Sequence, residues 1–173
     1  MKFKKQLTKL YACKDAIEWV GDKTLKEAWD KCDRGDWMLW LYKKRYPTNL
    51  KEVTLAKGHC ANTVRYLMKD ERSRKAVDTT IAFGKGEATK EELDAAASDA
   101  YAAANAVAYT DAYASDAVNA AAYAANAAAY AANAAYAANA ASAATYAAAA
   151  NAVAKKMNRK QTADICRKYL KVT

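Results

Sequence analysis

Apolar side chains recur at three- and four-residue steps along the start of the chain. Phe3, Leu7, Leu10, Cys13, Ile17 and Val20 fall on one stripe. This spacing predicts an amphipathic helix over residues 4–20, ended by Gly21-Asp22. Thr24-Leu25-Lys26-Glu27 then forms a capping box, because the Thr hydroxyl and the Glu carboxylate can each satisfy a free backbone N–H. The short helix it opens buries Leu25, Ala28, Trp29 and Cys32. Arg34-Gly35-Asp36 interrupts the chain, with Asp36 as the expected N-cap of the next helix. Residues Trp37 to Tyr42 are apolar on every side, and a helix with no polar face belongs at the centre of a bundle. Lys43, Lys44 and Arg45 occupy its last turn, where cations complement the dipole.

Pro47 stops that helix. Asn49-Leu50-Lys51-Glu52 is a second capping signature, and Leu50, Val53, Cys60, Val64 and Leu67 give the fourth helix its stripe. A fifth helix, over residues 71–83, buries Val77, Ile81 and Phe83 and is closed by Gly84-Lys85-Gly86. Thr89-Lys90-Glu91-Glu92 is a third capping box and launches a different kind of sequence.

From Ala95 to Ala154 the chain is alanine-rich with neither Gly nor Pro, and alanine has the highest helix propensity of any residue. One continuous helix here would run ~90 Å at 1.5 Å per residue. A compact chain of this length has a radius of gyration of only ~16 Å. The segment must therefore project as a rod or fold back as a hairpin. Ala-Ser-Asp-Ala at 97–100 and again at 114–117 favours a hairpin, with its turn near Thr110–Ser115.

Within the tract Asn119, Asn126 and Asn133 are seven apart, as are Tyr123 and Tyr130, and Tyr136 and Asn139 continue the pattern after a one-residue slip. Steps of four and three set Asn and Tyr on one stripe. The stripe has two readings: a half-buried seam, or a ladder of flat, polar-tipped rings that meets a protein partner at low entropic cost. A last helix, residues 160–170, packs Ile165, Cys166, Tyr169 and Leu170 onto the head. The predicted fold is all-α: a helical bundle of short amino-terminal helices packed with one or two long alanine-rich helices. Its parts are a head (1–94), the alanine-rich helix or hairpin (95–154) and a basic carboxy-terminal helix (155–173), forming one structural unit.

Composition narrows the function. At 173 residues the chain suits one domain, and one proline with five glycines argues against a β-rich fold. The net charge of +9 is unevenly spread. Residues 1–94 hold 21 Lys/Arg against 15 Asp/Glu; residues 95–154 hold only Asp99, Asp111 and Asp116; residues 155–173 hold seven basic groups against Asp164. Two basic ends flank a near-neutral middle, and such ends attract acidic proteins, anionic ligands or nucleic acid. No stretch has the pattern of a secretory leader, and no run of strongly apolar residues reaches the ~20 needed to span a bilayer, so the expected location is the cytoplasm.

Cys13, Cys32, Cys60 and Cys166 form no Cys-x-x-Cys pair, and each falls in an apolar helical pattern, so all four are expected in the core as reduced thiols. His59 is the single histidine. A nucleophilic pair would need Cys13, Cys32 or Cys166 brought to it across the bundle, because the adjacent Cys60 diverges by about 100° on a helix. There is no phosphate-binding glycine loop and no metal-ligand spacing. The chain reads as a non-enzymatic protein without a cofactor.

A resemblance adds to this. Cys13…Trp19, Thr24-Leu25-x-Glu27-Ala28-Trp29-x-x-Cys32, Arg34-Gly35-Asp36-Trp37-Met38-Leu39-Trp40, His59-Cys60-Ala61, Gly86-Glu87-Ala88-Thr89, the Ala-Tyr-Ala-Ala tract and Ile165-Cys166-Arg167 resemble the pattern of the Imm-five-like immunity-protein family of bacterial toxin–immunity systems, found also in phages. The likeness spans nearly the whole chain, and the Gly-Asp-Trp-x-x-Trp block is its more specific part. It implies an all-helical protein that neutralises a toxin, or a bacterial defence component, by binding it. The basic ends and the asparagine repeat depart from that family's pattern. Tyr123, Tyr130, Tyr136, Asn126, Asn133, Lys43, Lys44, Arg45, Lys155, Lys156 and Arg159 are the candidate partner-binding residues. The alternatives are a small anionic ligand such as a nucleotide, nucleic acid at the basic ends, and a homo-oligomer. Ice binding lacks the regularly spaced threonines it needs.

Overall fold

In the computed structural model, residues 3–109, 126–127, 130–131, 133, 137–148 and 152–172 are described, and among them there are nine α-helices and no strand. The helix predicted over 4–20 is in fact two, α1 (Phe3–Lys9) and α2 (Lys14–Val20). Tyr11 turns the chain between them with φ 60. The Ala12 N–H reaches back to the Leu7 carbonyl at 3.0 Å and the Tyr11 N–H to Thr8 at 3.1 Å, the bond pair of a Schellman stop. A tyrosine in this left-handed conformation costs roughly 1–2 kcal/mol, and glycine is the usual occupant. The apolar stripe did not betray the break because both halves keep it: Phe3, Leu7, Ala16 and Val20 are all buried.

The Thr24 box opens α3 (Leu25–Lys31) as predicted, with Glu27 N–H donating to Thr24 Oγ1 at 3.2 Å and Thr24 N–H donating to Glu27 Oε2 at 2.8 Å. Two other caps were misread. Asp36 lies inside the first turn of α4 (Gly35–Arg45), where it holds Arg34, itself the N-cap residue. Asn49 makes no cap bond to α5 (Leu50–Asn62). Its Nδ2 donates to the Tyr42 hydroxyl at 3.1 Å, and that hydroxyl donates to Glu52 Oε2 at 2.7 Å. A buried phenol needs a partner, and it draws both ends of the would-be capping motif.

A 3₁₀ turn (Arg65–Leu67) leads to α6 (Glu71–Lys85), which ends at Gly86 with φ 85 in a second Schellman stop, two residues beyond the predicted end. The Thr89 box, complete in both bonds, starts α7 (Lys90–Tyr109). Two further helices follow, α8 (Ala137–Ala147) and α9 (Ala152–Tyr169), the latter beginning eight residues before the predicted 160.

As its composition predicts, α4 is central: Met38, Leu39, Leu41 and Tyr42 are buried, and both α8 and α9 pack on it. Cys166 and Leu170 are fully buried in the same cluster, with Ile165 and Tyr169 packed against it. The second cluster is mostly alanine, with Ala100, Ala127, Ala131, Ala140 and Ala144 at zero exposure around Val64, Met68 and Val77. Tyr101 of α7 and Tyr130 bring their rings to 6.1 Å. A continuous helix would separate these residues by about 43 Å, so a single rod is excluded. The predicted turn at 110–115 lies outside the described residues. Among the described residues no helix is long and apolar enough to cross a membrane.

Candidate functional site

The predicted binding residues separate into three places. On the Tyr–Asn stripe, Tyr123 and Tyr136 lie outside the described residues. Tyr130 is half-buried, edge-on to Tyr101 and packed against the alanine cluster, so this ring helps close the fold. Asn126 and Tyr130 face Asn139, Ser142 and Tyr146 of α8 across a shallow cavity of about 230 Å³ floored by Ala143. Asn133 is half-buried, and its carbonyl accepts a bond from Lys57 Nζ at 2.9 Å.

The basic turn of α4 is a second place. Arg45 donates to Gln6 Oε1 at 3.2 Å and lies over the Tyr46 ring, tying the end of α4 to α1. Lys44 is exposed and Lys43 half-buried. These residues sit near one end of α4, whereas its other end, at Gly35, meets Thr162 of α9. About 15 Å of helix lies between, so the two basic groups of the sequence do not form one patch.

The third place is the first half of α9. Val153 and Met157, one turn apart, are 67 % and 68 % exposed, more than any other described aliphatic side chain of their size. With Lys156, Lys160 and Asp33 they border an open depression of about 510 Å³. Lys155 on the flank places its ammonium 4.7 Å over the half-exposed Tyr146 ring, and Arg159 is half-buried. No acidic residue occurs between Ala152 and Ala163, and the next one, Asp164, is engaged by Arg167 at 2.6 Å. Among the described residues neither Lys156 nor Lys160 has a carboxylate within ion-pair distance. The anchor beneath is polar and specific: Asn158 is buried, donating to Thr63 at 2.9 Å and accepting from Thr145 at 3.2 Å. It fixes which face of α9 looks outward. Lys156 and Arg159 are among the residues expected from the sequence; Val153, Met157 and Lys160 are not, and for the first two of these the reason is that an apolar pair on a helix reads equally well as core.

Among the described residues no thiol is hydrogen-bonded to the histidine. His59 stacks on Tyr169 with ring centroids 4.5 Å apart, and burial, then Lys168 and Lys85, pushes its pKa down. Cys60 donates weakly to the Thr162 carbonyl and Cys166 to that of Gly35. Burial raises the Cys32 thiol to about 11, and that of Cys166 is raised also. Cys13 is exposed, not in the core as expected, because the break after Tyr11 leaves it at the start of α2. No protein-family model, characterised protein or solved structure matches the chain.

Proposed function

We propose that this chain is a non-enzymatic binding protein that neutralises an acidic partner protein by covering part of its surface with the outer face of α9. The observation that carries the reading is the pairing of Val153 and Met157, both largely exposed, with Lys155, Lys156, Arg159 and Lys160 of the same helix, a run that contains no acidic residue. Of the residues bordering the depression only Asp33 carries a carboxylate. An apolar centre whose border is predominantly cationic is the anatomy of a protein interface whose partner carries the opposite sign. The sequence resemblance to immunity proteins supports the same role, with a toxin or a bacterial defence component as the partner, met in the cytoplasm.

Native mass spectrometry of the tagged protein, recovered gently from a cytosolic extract, tests this. The expected result is a stoichiometric complex with a protein of acidic surface. Met157→Asp should then weaken the complex by about a hundredfold, the effect of losing a central interface anchor. Lys156→Glu with Lys160→Glu should slow association and remove its salt dependence. A bare chain, or one carrying only a few hundred daltons of extra mass, would overturn the reading. Capture of nucleic acid, with affinity falling steeply as salt rises, would replace it.

A further inference from the structure

On the other side of α4 the amino-terminal helices leave a cavity of about 340 Å³. Phe3, Leu7, Val20, Met38 and Leu41 form its walls, and all four tryptophans of the chain, Trp19, Trp29, Trp37 and Trp40, line it. The cavity is half open to solvent, and its walls are almost wholly apolar, so a guest that takes this surface out of water is favoured by the hydrophobic effect. Water there has few polar groups to bond. Here the one carboxylate at the wall, Asp36, has both oxygens engaged by Arg34 at 2.9 and 2.6 Å, and that guanidinium lies 4.4 Å over the Trp37 ring. The ion pair is closed on itself and offers no charge to a guest.

The mouth is also distinctive. Tyr11 is 92 % exposed at the rim, in the left-handed conformation that breaks α1 from α2, and Cys13 stands beside it. A strained, solvent-facing aromatic at the lip of an apolar cavity is a feature that packing alone does not require. Trp19 and Trp37 already meet edge to face at 6.0 Å, which leaves ring surface for a third aromatic partner.

We propose that this cavity is a binding site for a small, uncharged aromatic molecule of fused-ring size, separate from the α9 face. Charge is excluded because a buried ion would find no counter-ion there. For this reason the nucleotide-like anion considered from the sequence does not fit this cavity. Planarity is favoured because stacked and edge-on contacts with tryptophan add to what area alone supplies.

The tryptophans report on the site directly. Titrating the full chain with 1-N-phenylnaphthylamine should give saturable, one-to-one enhancement of probe emission together with loss of tryptophan emission. Ala16→Leu, which fills the cavity from the α2 wall, should weaken binding by about tenfold or more, a change of about 1.4 kcal/mol. Lys156→Glu with Lys160→Glu should leave it unchanged, so failure of this proposal and failure of the α9 interface are told apart. Hydrogen exchange of the unmutated chain, with and without probe, keeps the test independent of any variant's folding: protection should concentrate in residues 3–41. Absence of saturable binding, protection confined to other segments, or undiminished binding by a folded Ala16→Leu chain overturns the proposal. Displacement of the probe by dodecanol more readily than by naphthalene overturns the aromatic assignment.

Discussion

Gly84→Ala is expected to destabilise the protein by about 1–3 kcal/mol, although alanine is the better helix former by about 1 kcal/mol. Gly84 lies inside α6, and a Cβ built there would stand 2.5 Å from Leu55 Cβ, 2.6 Å from its Cα and 2.7 Å from its backbone nitrogen. A flexible side chain could rotate away, but the backbone of α5 cannot. The two helices would have to part. Their contact is the most extensive between helices among the described residues, and it is reciprocal. Gly58 of α5 receives Ile81 and Thr80 of α6, with a Cβ there 2.8 Å from Ile81 Cγ1 and 3.0 Å from Thr80 Cγ2. Because the two tightest neighbours are side-chain atoms and the Ile81 backbone nitrogen is farther off at 3.2 Å, Gly58→Ala should cost less than Gly84→Ala. Urea denaturation followed by circular dichroism gives both values, with the midpoint falling and the slope unchanged. An unshifted or raised midpoint for Gly84→Ala would mean that α5 and α6 are not locked at this crossing.

Stability should also rise with pH across the neutral range, through Lys57. This side chain is fully buried, yet among the described residues its ammonium is bonded only to a carbonyl, that of Asn133 at 2.9 Å. Burial first, then repulsion from Lys43 and Lys90, brings its pKa down from 10.5 to about 7. The sign follows from proton counting. Between about pH 7 and pH 10.5 the unfolded chain holds a proton on Lys57 that the folded chain has released, so raising the pH favours the fold. Below about pH 7 both states are protonated and the full penalty of burying the charge remains, on the order of 5 kcal/mol. Above about pH 9 the raised Cys32 thiol acts in the opposite direction, so the useful window is narrower. From about pH 6 to about pH 8.5 the Lys57 contribution amounts to about 2 kcal/mol.

Lys57→Met should remove most of that slope, leaving only the part near and below pH 6.5 that the lowered His59 pKa supplies. It should also stabilise the protein by about 2–4 kcal/mol near pH 6, the removed penalty less about 1–3 kcal/mol for a carbonyl left without its donor. Parallel urea titrations of the two chains at both pH values decide the matter. Equal slopes would show that Lys57 does not titrate as a buried amine. The position of the amine has a local logic, since residues 130–131 are helical and Asn133 is not. A cation near the end of a helical segment, bonding a late carbonyl, offsets the negative end of the dipole.

Much of the architecture was legible in the residues. Three- and four-residue apolar spacing, the capping boxes at Thr24 and Thr89, and Gly86 after α6 are local signals, each decided by atoms within one turn of helix. The centrality of α4 was legible because a helix without a polar face has nowhere else to go. What could not be read follows from long-range competition for polar partners. Asp36 and Asn49 carry capping chemistry, but Arg34 and the buried Tyr42 hydroxyl claimed them instead.

The candidate site divides along the same line. Its charge was visible along the chain; the grouping of that charge was not. Lys43–Arg45 and Lys155–Arg159 look like matching basic ends, yet the crossing of α4 and α9 at Gly35 and Thr162 holds them apart. Val153 and Met157 become a surface only because Asn158, bonded to Thr63 and Thr145, turns the opposite face of α9 inward. Lys57 would be assigned to solvent by any reading of one helix, since lysine is almost never fully buried. The sequence by itself determined where helices form, because propensity, periodicity and caps act over a few residues. Only the tertiary structure decided which faces meet and which polar groups pair. Those choices depend on side chains brought together from as far apart as Lys57 and Asn133, or Thr63 and Asn158.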